Sequence, residues 1–513
     1  MRVKFGEWAP DQPCFEHYGL ERCENTIPSE QGHYEPWHDL TLLTDAIIDP
    51  STSLTATVAS AAAFRGADGI GYLFAATKTN LYKQSASGWA SVDRTASYSA
   101  NTSDGNNVKW SFTQFGDTIY ASNGNNTMQY YSINSSAGAS TQFLDMSASS
   151  SAPEAKYTCV VRDHMFAANI NGAENVVQFS RINNPTRWTP AVRYQADFQT
   201  IPNGGYIQGI TGGDFAAILM EDSVYRASYV GSPLVYRFDE VAPGIGCLAP
   251  YSVTRFQNLT FFYSRSGFYA FDGQQALPIG DNKVDDFFAT DVDNGSFDTM
   301  SATIDPVNKL YILTYASTAS TEGTPNRCLV YNWATQRWTY IKQGYRALFA
   351  AYTVGESLDS TLMQSLNIDT MTVSLDSAQW KGGSKYFGGF NGNSRLGSFI
   401  GDTLKARFET GCWQITPDSR SFMTGVRPMI ELINTADDVV AATPEGTGDI
   451  TATIGIRDRI QDAITFQAVS QINFNGECPV RASSRYHRVR IEVSGGFTHA
   501  TGFDFYARRE GLR

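Results

Sequence analysis

Apolar residues in this chain come in short runs separated by turn residues, and the runs repeat. A turn residue is followed by an apolar strand whose third residue is generally large: Gly71 with YLF, Asp117 with TIY, Asp163 with HMF, Asp214 with FAA, Asn258 with LTF and Asn308 with KLY. Successive anchors lie 46, 46, 51, 44 and 50 residues apart. A tight turn and a second, aromatic-rich strand come after each one, as in TNLYKQ, NTMQYYS, NVVQFSR, DSVYRAS, SGFYAFD and RCLVYNW. A strand-only unit of about 45 residues is the footprint of a β-propeller, in which stacking of neighbouring four-stranded blades buries faces that no blade can hide alone. Strands of a β-sandwich recur every ~8–12 residues without that longer period.

The pattern therefore predicts an all-β fold with a six-bladed propeller, seven blades being the alternative. A seventh unit begins at Ser384 with KYFGGF, the turn NGNS and RLGSFIGD. It starts 76 residues beyond Asn308, so the segment Gly355 to Trp380 reads as an insertion or as the point of ring closure. After about Thr403 the period vanishes while short alternating runs continue (VRPMIELI, DITATIGI, YHRVRIEVS), which predicts a separate antiparallel, sandwich-like domain. The first 45 residues, with EWAPDQP and NTIPSEQGHYEPW, read as an extended arm crossing its own domain or a neighbour's. The expected division is 1–45 arm, 46–402 propeller and 403–513 C-terminal β-domain.

Composition agrees with this picture. Of the 513 residues 18% are charged, below the roughly 25% of average domains, and 13% are aromatic. The net charge of −12 argues against a protein that grips phosphates by counterion release, although an acidic lining suits a conduit past which a polyanion slides. Seven scattered cysteines without a CxxC pair suit reduced thiols. Neither a secretory h-region nor a run of about 18 apolar residues is visible, so a soluble, cytoplasmically made protein without a membrane-spanning segment is expected.

Candidate chemistry is sparse. Cys14, His17, Cys23, His33 and His38 crowd the arm, but their spacing matches no zinc pattern, and no metal site is assigned. The acidic run Asp281, Asp285, Asp286, Asp291, Asp293 and Asp298 could offer a carboxylate pair for glycoside hydrolysis only if two members converged on a cleft. GxSxG and GxxxxGK[ST] are absent. No catalytic or cofactor-binding residue is assigned, and no cofactor is implied. NNPTRWTPAVRY, YNWATQRWTYIKQGYR and YARREGLR combine Trp, Tyr and Arg, the residues favoured at protein interfaces, though Trp188 and Trp338 could equally close their own blades.

Three stretches carry a resemblance. The opening FGEWAPDQPCFEHYGLERCENTIPSEQGHYEPW, the centre from QTIPNGGYIQGITGGDFAAILMEDSVYRASYVGSP to VAPGIGCLAPYSVTRFQNLTFFYSRSGFYAFDGQQALPIG, and the closing YHRVRIEVSGGFTHATGFDFYARREGLR are similar to the tail hub or nozzle (packaged-DNA stabilisation) proteins of short-tailed bacteriophages. What the resemblance implies is a non-enzymatic structural protein of the virion tail, assembled in the host cytoplasm as a homohexameric ring. Its central channel would retain packaged DNA and conduct it during ejection, touching the duplex transiently and without sequence preference. Portal or adaptor proteins would lie above it and tail fibre or needle proteins below. The rivals are a propeller glycosidase or lyase acting on a host surface polysaccharide, and a monomeric binding platform.

Overall fold

The computed structural model describes all residues except 16–18, 43–53, 55, 68, 86–87, 101–108, 134–139, 353–384, 417–418, 434–449 and 511–513. Its centre is a β-propeller. Each repeat found in the sequence supplies the second and third strands of a blade; blade 3, for example, is Ala155–Val161, His164–Ile170, Ala173–Phe179 and Asp197–Thr200, paired antiparallel in that order. The large third residues are its wedges: Phe74, Tyr120, Phe166, Phe261 and Tyr311 are all buried. Rings meet between blades, as in Phe166 against Tyr236 of blade 4 (4.8 Å) and Phe261 of blade 5 against Tyr311 of blade 6 (5.2 Å). Offset or edge-on pairs at such separations add to the area they bury.

Among the described residues seven blades close the ring, so the alternative count holds and six is short by one. Blade 7 consists of Ala347–Tyr352, Lys385–Phe390 and Leu396–Ser398, with Thr41–Leu42 from the arm as its fourth strand. Gly355 to Trp380 lies outside the described residues. Because one strand is borrowed from 300 or so residues upstream, blade 7 escapes a search for contiguous units. Hydroxyls lining the axis join neighbouring blades: Ser60 donates to the Trp110 carbonyl (3.0 Å), Thr113 and Thr158 share a hydrogen bond (2.8 Å), and Leu348 N–H donates to Ser301 (3.3 Å). The abundance of Ser and Thr thus has a packing function.

The C-terminal strands form a sandwich, but the boundaries at 45 and 403 do not divide the core. In one sheet Arg2–Lys4 and Tyr34–Pro36 pair with Phe497–Arg509, and in the other Leu20–Glu24 pairs with Ala406–Thr410. Leu20–Glu24 also meets blade 6 in parallel at Glu24 and Tyr340, so one sheet runs from propeller into sandwich. A single cluster of buried side chains includes Trp8, Tyr34, Phe261, Trp338, Phe408 and Phe503. Leu20, Cys23 and Tyr34 of the arm are buried in that cluster, which spans both units. Among the described residues no helix is long and apolar enough to cross a membrane.

Candidate functional site

Three members of the acidic run, Asp285, Asp291 and Asp293, hold local structure. Asp285 accepts the Phe268 N–H (3.0 Å), and burial, with repulsion from Asp11, Asp281 and Asp286 after it, raises its pKa to about 6. Asp11, from the arm, accepts the N–H groups of Asp286 and Phe287 (2.9 and 2.8 Å) at the start of the short helix Asp285–Asp291, a capping role supplied by a distant residue. Asp291 pairs with Arg327 and accepts the Tyr315 hydroxyl (2.8 Å), and Asp293 accepts Ser296 Oγ (2.6 Å). None of these aspartates lines either of the two cavities described below.

The group of soft ligands in the arm disperses. Cys23 bonds Thr26 in the core, with burial pushing its thiol up to about 12; Cys14 meets Arg457 (3.2 Å), and His38 bonds the Gly401 carbonyl (2.8 Å). His33 stacks on His499 (centroids 4.6 Å apart) and faces Glu35 (3.2 Å), while His17 lies outside the described residues. Among the described residues no three His, Cys, Asp or Glu side chains come together as metal ligands.

The axis of the ring is nearly closed. A cavity of about 240 Å³ is lined by the innermost strands of the blades. Lys109, ahead of blade 2, reaches across it: Nζ donates to the carbonyls of Thr299 and Met300 ahead of blade 6 and lies 4.7 Å from the Tyr251 ring. Its backbone N–H donates to the Tyr251 hydroxyl (2.8 Å). Desolvation lowers its pKa to about 7 against attraction from Asp298. A folded pKa below the unfolded value of 10.5 means that the penalty for a charged Lys109 is complete below about pH 7 and fades as pH rises towards 10.5. Lys109→Met is therefore expected to raise the melting temperature at pH 6 and to flatten its climb between pH 7 and 10, as read by thermal scans across pH.

Of the three runs rich in Trp, Tyr and Arg, the first and the last reach the surface, the last with Tyr506, Arg508 and Arg509 exposed. Trp188 is buried and donates to the Pro185 carbonyl (2.8 Å), shaping the loop beyond the third strand of blade 3. On that loop Val192 (61%) and Tyr194 (42%) are exposed, with the Arg181 and Arg193 guanidinium groups over the Tyr194 ring at 4.2 and 5.6 Å. All four residues of the outer strand Asp197–Thr200 are exposed, Phe198 included. Tyr229 donates to Gln195 (3.0 Å), joining the loop to the blade 4 hairpin, whose tip exposes Val230 and Leu234 (71%). In YNWATQRWTYIKQGYR, by contrast, Trp338 and Tyr345 are core residues; in YARREGLR, Arg508 stacks on Phe422 (5.0 Å).

A second feature was missed because it needs three strands at once. Glu409 is buried beneath Arg490 (2.9 Å), Arg488 (3.0 Å) and Arg407 (3.1 Å), with Glu21 3.8 Å from Arg488. The i, i+2 spacing of Arg488 and Arg490 in YHRVRIEV, opposite ARFET, was the available signal.

No family model matches this chain, and no curated protein does. Solved structures similar to it include the Pan2 WD40 domain of Neurospora crassa (8% identity, 47% of this chain, 68% of that one, TM-score 0.26). PorZ, a surface component of the type-IX secretion system of Porphyromonas gingivalis, matches at 8% identity over 73% of this chain and 44% of its own (TM-score 0.33). U3-55K matches at 8% over 60% and 90% (TM-score 0.33). At such values none of these likenesses bears on function.

Proposed function

We propose that this chain is a structural virion protein: a tail hub or nozzle subunit, six copies of which form a ring around a channel that holds packaged DNA and conducts it at ejection. The observation that carries the reading is the rim of blades 3 and 4. Exposed Val192, Tyr194, Phe198, Val230 and Leu234 beside stacked arginines form an apolar and aromatic surface of the kind that mediates protein association. Closing a ring requires each copy to present one such surface to a different face of the next. Arg181 and Arg193 over the Tyr194 ring and Arg162 over the Tyr229 ring add cationic groups to that surface.

The reading puts the conduit between subunits, which the blocked axis supports. A cavity of about 240 Å³ crossed by Lys109 admits no duplex, so DNA passes between subunits and never through a propeller. The single sheet running from blade 6 into the sandwich suits a wall that must not flex under load. Portal or adaptor proteins and tail fibre or needle proteins are the proposed neighbours above and below.

The test is the mass of the assembled protein. Wild-type chain, alone or on tail particles, should form a sixfold ring by light scattering and electron microscopy. The double variant V192E/L234E should stay monomeric while melting within a few degrees of wild type. A wild-type chain that remains single in both settings removes the reading. Release of reducing ends from host polysaccharide would move it to the hydrolase class.

A further inference from the structure

A cavity of about 460 Å³ opens where the arm, blade 6, blade 7 and the sandwich meet, within the ~300–1,000 Å³ range of small-ligand sites. Its floor is aromatic: Trp37, Phe387, Phe399 and Phe497 line it, with Phe399 edge-on to Trp37 at 5.2 Å. Its polar lining offers acceptors. Glu35 and Asp305 contribute carboxylates: one Glu35 oxygen faces His33 (3.2 Å), and Asp305 accepts from the Val307 N–H (2.9 Å) and the Asn308 amide (2.8 Å), each carboxylate keeping a further lone pair. His38 uses its Nδ1–H on the Gly401 carbonyl (2.8 Å), and its Nε2 has no hydrogen-bond partner among the described residues. The Trp37 N–H is already given to the Tyr345 hydroxyl (3.2 Å). Among the described residues no Lys or Arg lines the cavity, and His499 is its other imidazole.

A cavity that combines carboxylates and aromatic rings has as its complement a positively charged donor on an apolar body. We propose that this seam pocket binds an organic cation, an alkylguanidinium or alkylammonium group on a short apolar stem. Guanidinium or ammonium N–H groups meet Glu35, Asp305 and His38 at the mouth, and the stem lies on the Phe387 and Phe399 rings. Because the walls come from both propeller and sandwich, occupancy ties the two together. The inference stands independently of the ring.

The full chain is to be titrated calorimetrically with N-butylguanidinium, with N-butylurea as neutral isostere and butyrate as anion. Saturable binding of the cation alone is expected, with a rise in melting temperature. Glu35→Gln, at a half-exposed position where folding is retained, should weaken it about tenfold, the worth of one charge-assisted hydrogen bond. Tighter binding of acetyl-arginine amide than of 1,4-diaminobutane would assign the occupant to an arginine of a partner protein, and the reverse to a free amine; both support the site. Equal binding of the urea, no saturation by about 10 mM cation, or an unchanged affinity in Glu35→Gln overturns it.

Discussion

Glu409→Gln is expected to cost about 3–5 kcal/mol of stability at neutral pH, because it removes the one carboxylate that three buried or half-buried guanidinium groups share. The replacement keeps shape and some hydrogen bonding but leaves Arg407, Arg488 and Arg490 crowded without their common counter-charge. Burial alone would push the Glu409 pKa up; the hydrogen bond and charge of Arg490, then the charges of Arg488 and Arg407, outweigh it and hold the carboxyl below its ordinary 4.5. A depressed folded pKa contributes stability that is complete above the unfolded value and lost as pH falls through the folded one. The gap between wild type and variant in denaturant midpoint should therefore be widest above pH 5 and shrink under more acid conditions. A second substitution, Arg490→Met, should recover part of the loss by removing one stranded charge. A gap that does not change with pH would show that packing, and not charge, sets the cost.

Trp338→Ala is expected to cost a similar amount, about 3–5 kcal/mol for an emptied tryptophan site. The indole is fully buried, lies against Tyr331 of its own blade (4.7 Å) and Phe268 of blade 5 (5.1 Å), and donates to the Ile279 carbonyl (2.9 Å). It closes its blade, as one of the two sequence alternatives held, and it also fastens that blade to its neighbour. Trp338→Phe keeps most of the ring area and loses the donor, so its loss should be nearer 1–2 kcal/mol. Denaturant midpoints of the two variants, followed by far-ultraviolet circular dichroism, measure the difference. A loss on going to Phe as large as that on going to Ala would mean that the hydrogen bond, and not the packed area, is what matters.

These two sites differ in how visible they were beforehand. Trp338 sits in a run whose spacing already marked a blade strand, so its burial was one of two readings on offer. The Glu409 cluster depends on Arg407, Arg488 and Arg490 meeting from strands about 80 residues apart, a register that no local pattern encodes. The rim lies between these cases. Tyr, Trp and Arg in NNPTRWTPAVRY marked an interface candidate, but only packing separated Trp188, turned inward, from Val192 and Tyr194, turned out. The carboxylates went the other way: within a suggestive acidic run, Asp285 holds a backbone N–H, Asp291 an arginine and Asp293 a serine hydroxyl.

Local chemistry was enough to determine the strand repeat, its turn residues and the buried wedges, because the alternation of a strand and the demands of a tight turn act over a few residues. Where distant segments meet was decided only in three dimensions: the seventh blade completed by Thr41–Leu42, the arm woven into the sandwich, Lys109 across the axis and the pocket at the seam. Those pairings are selected by shared burial across long stretches of chain, and burial of that kind leaves no period in the sequence to read.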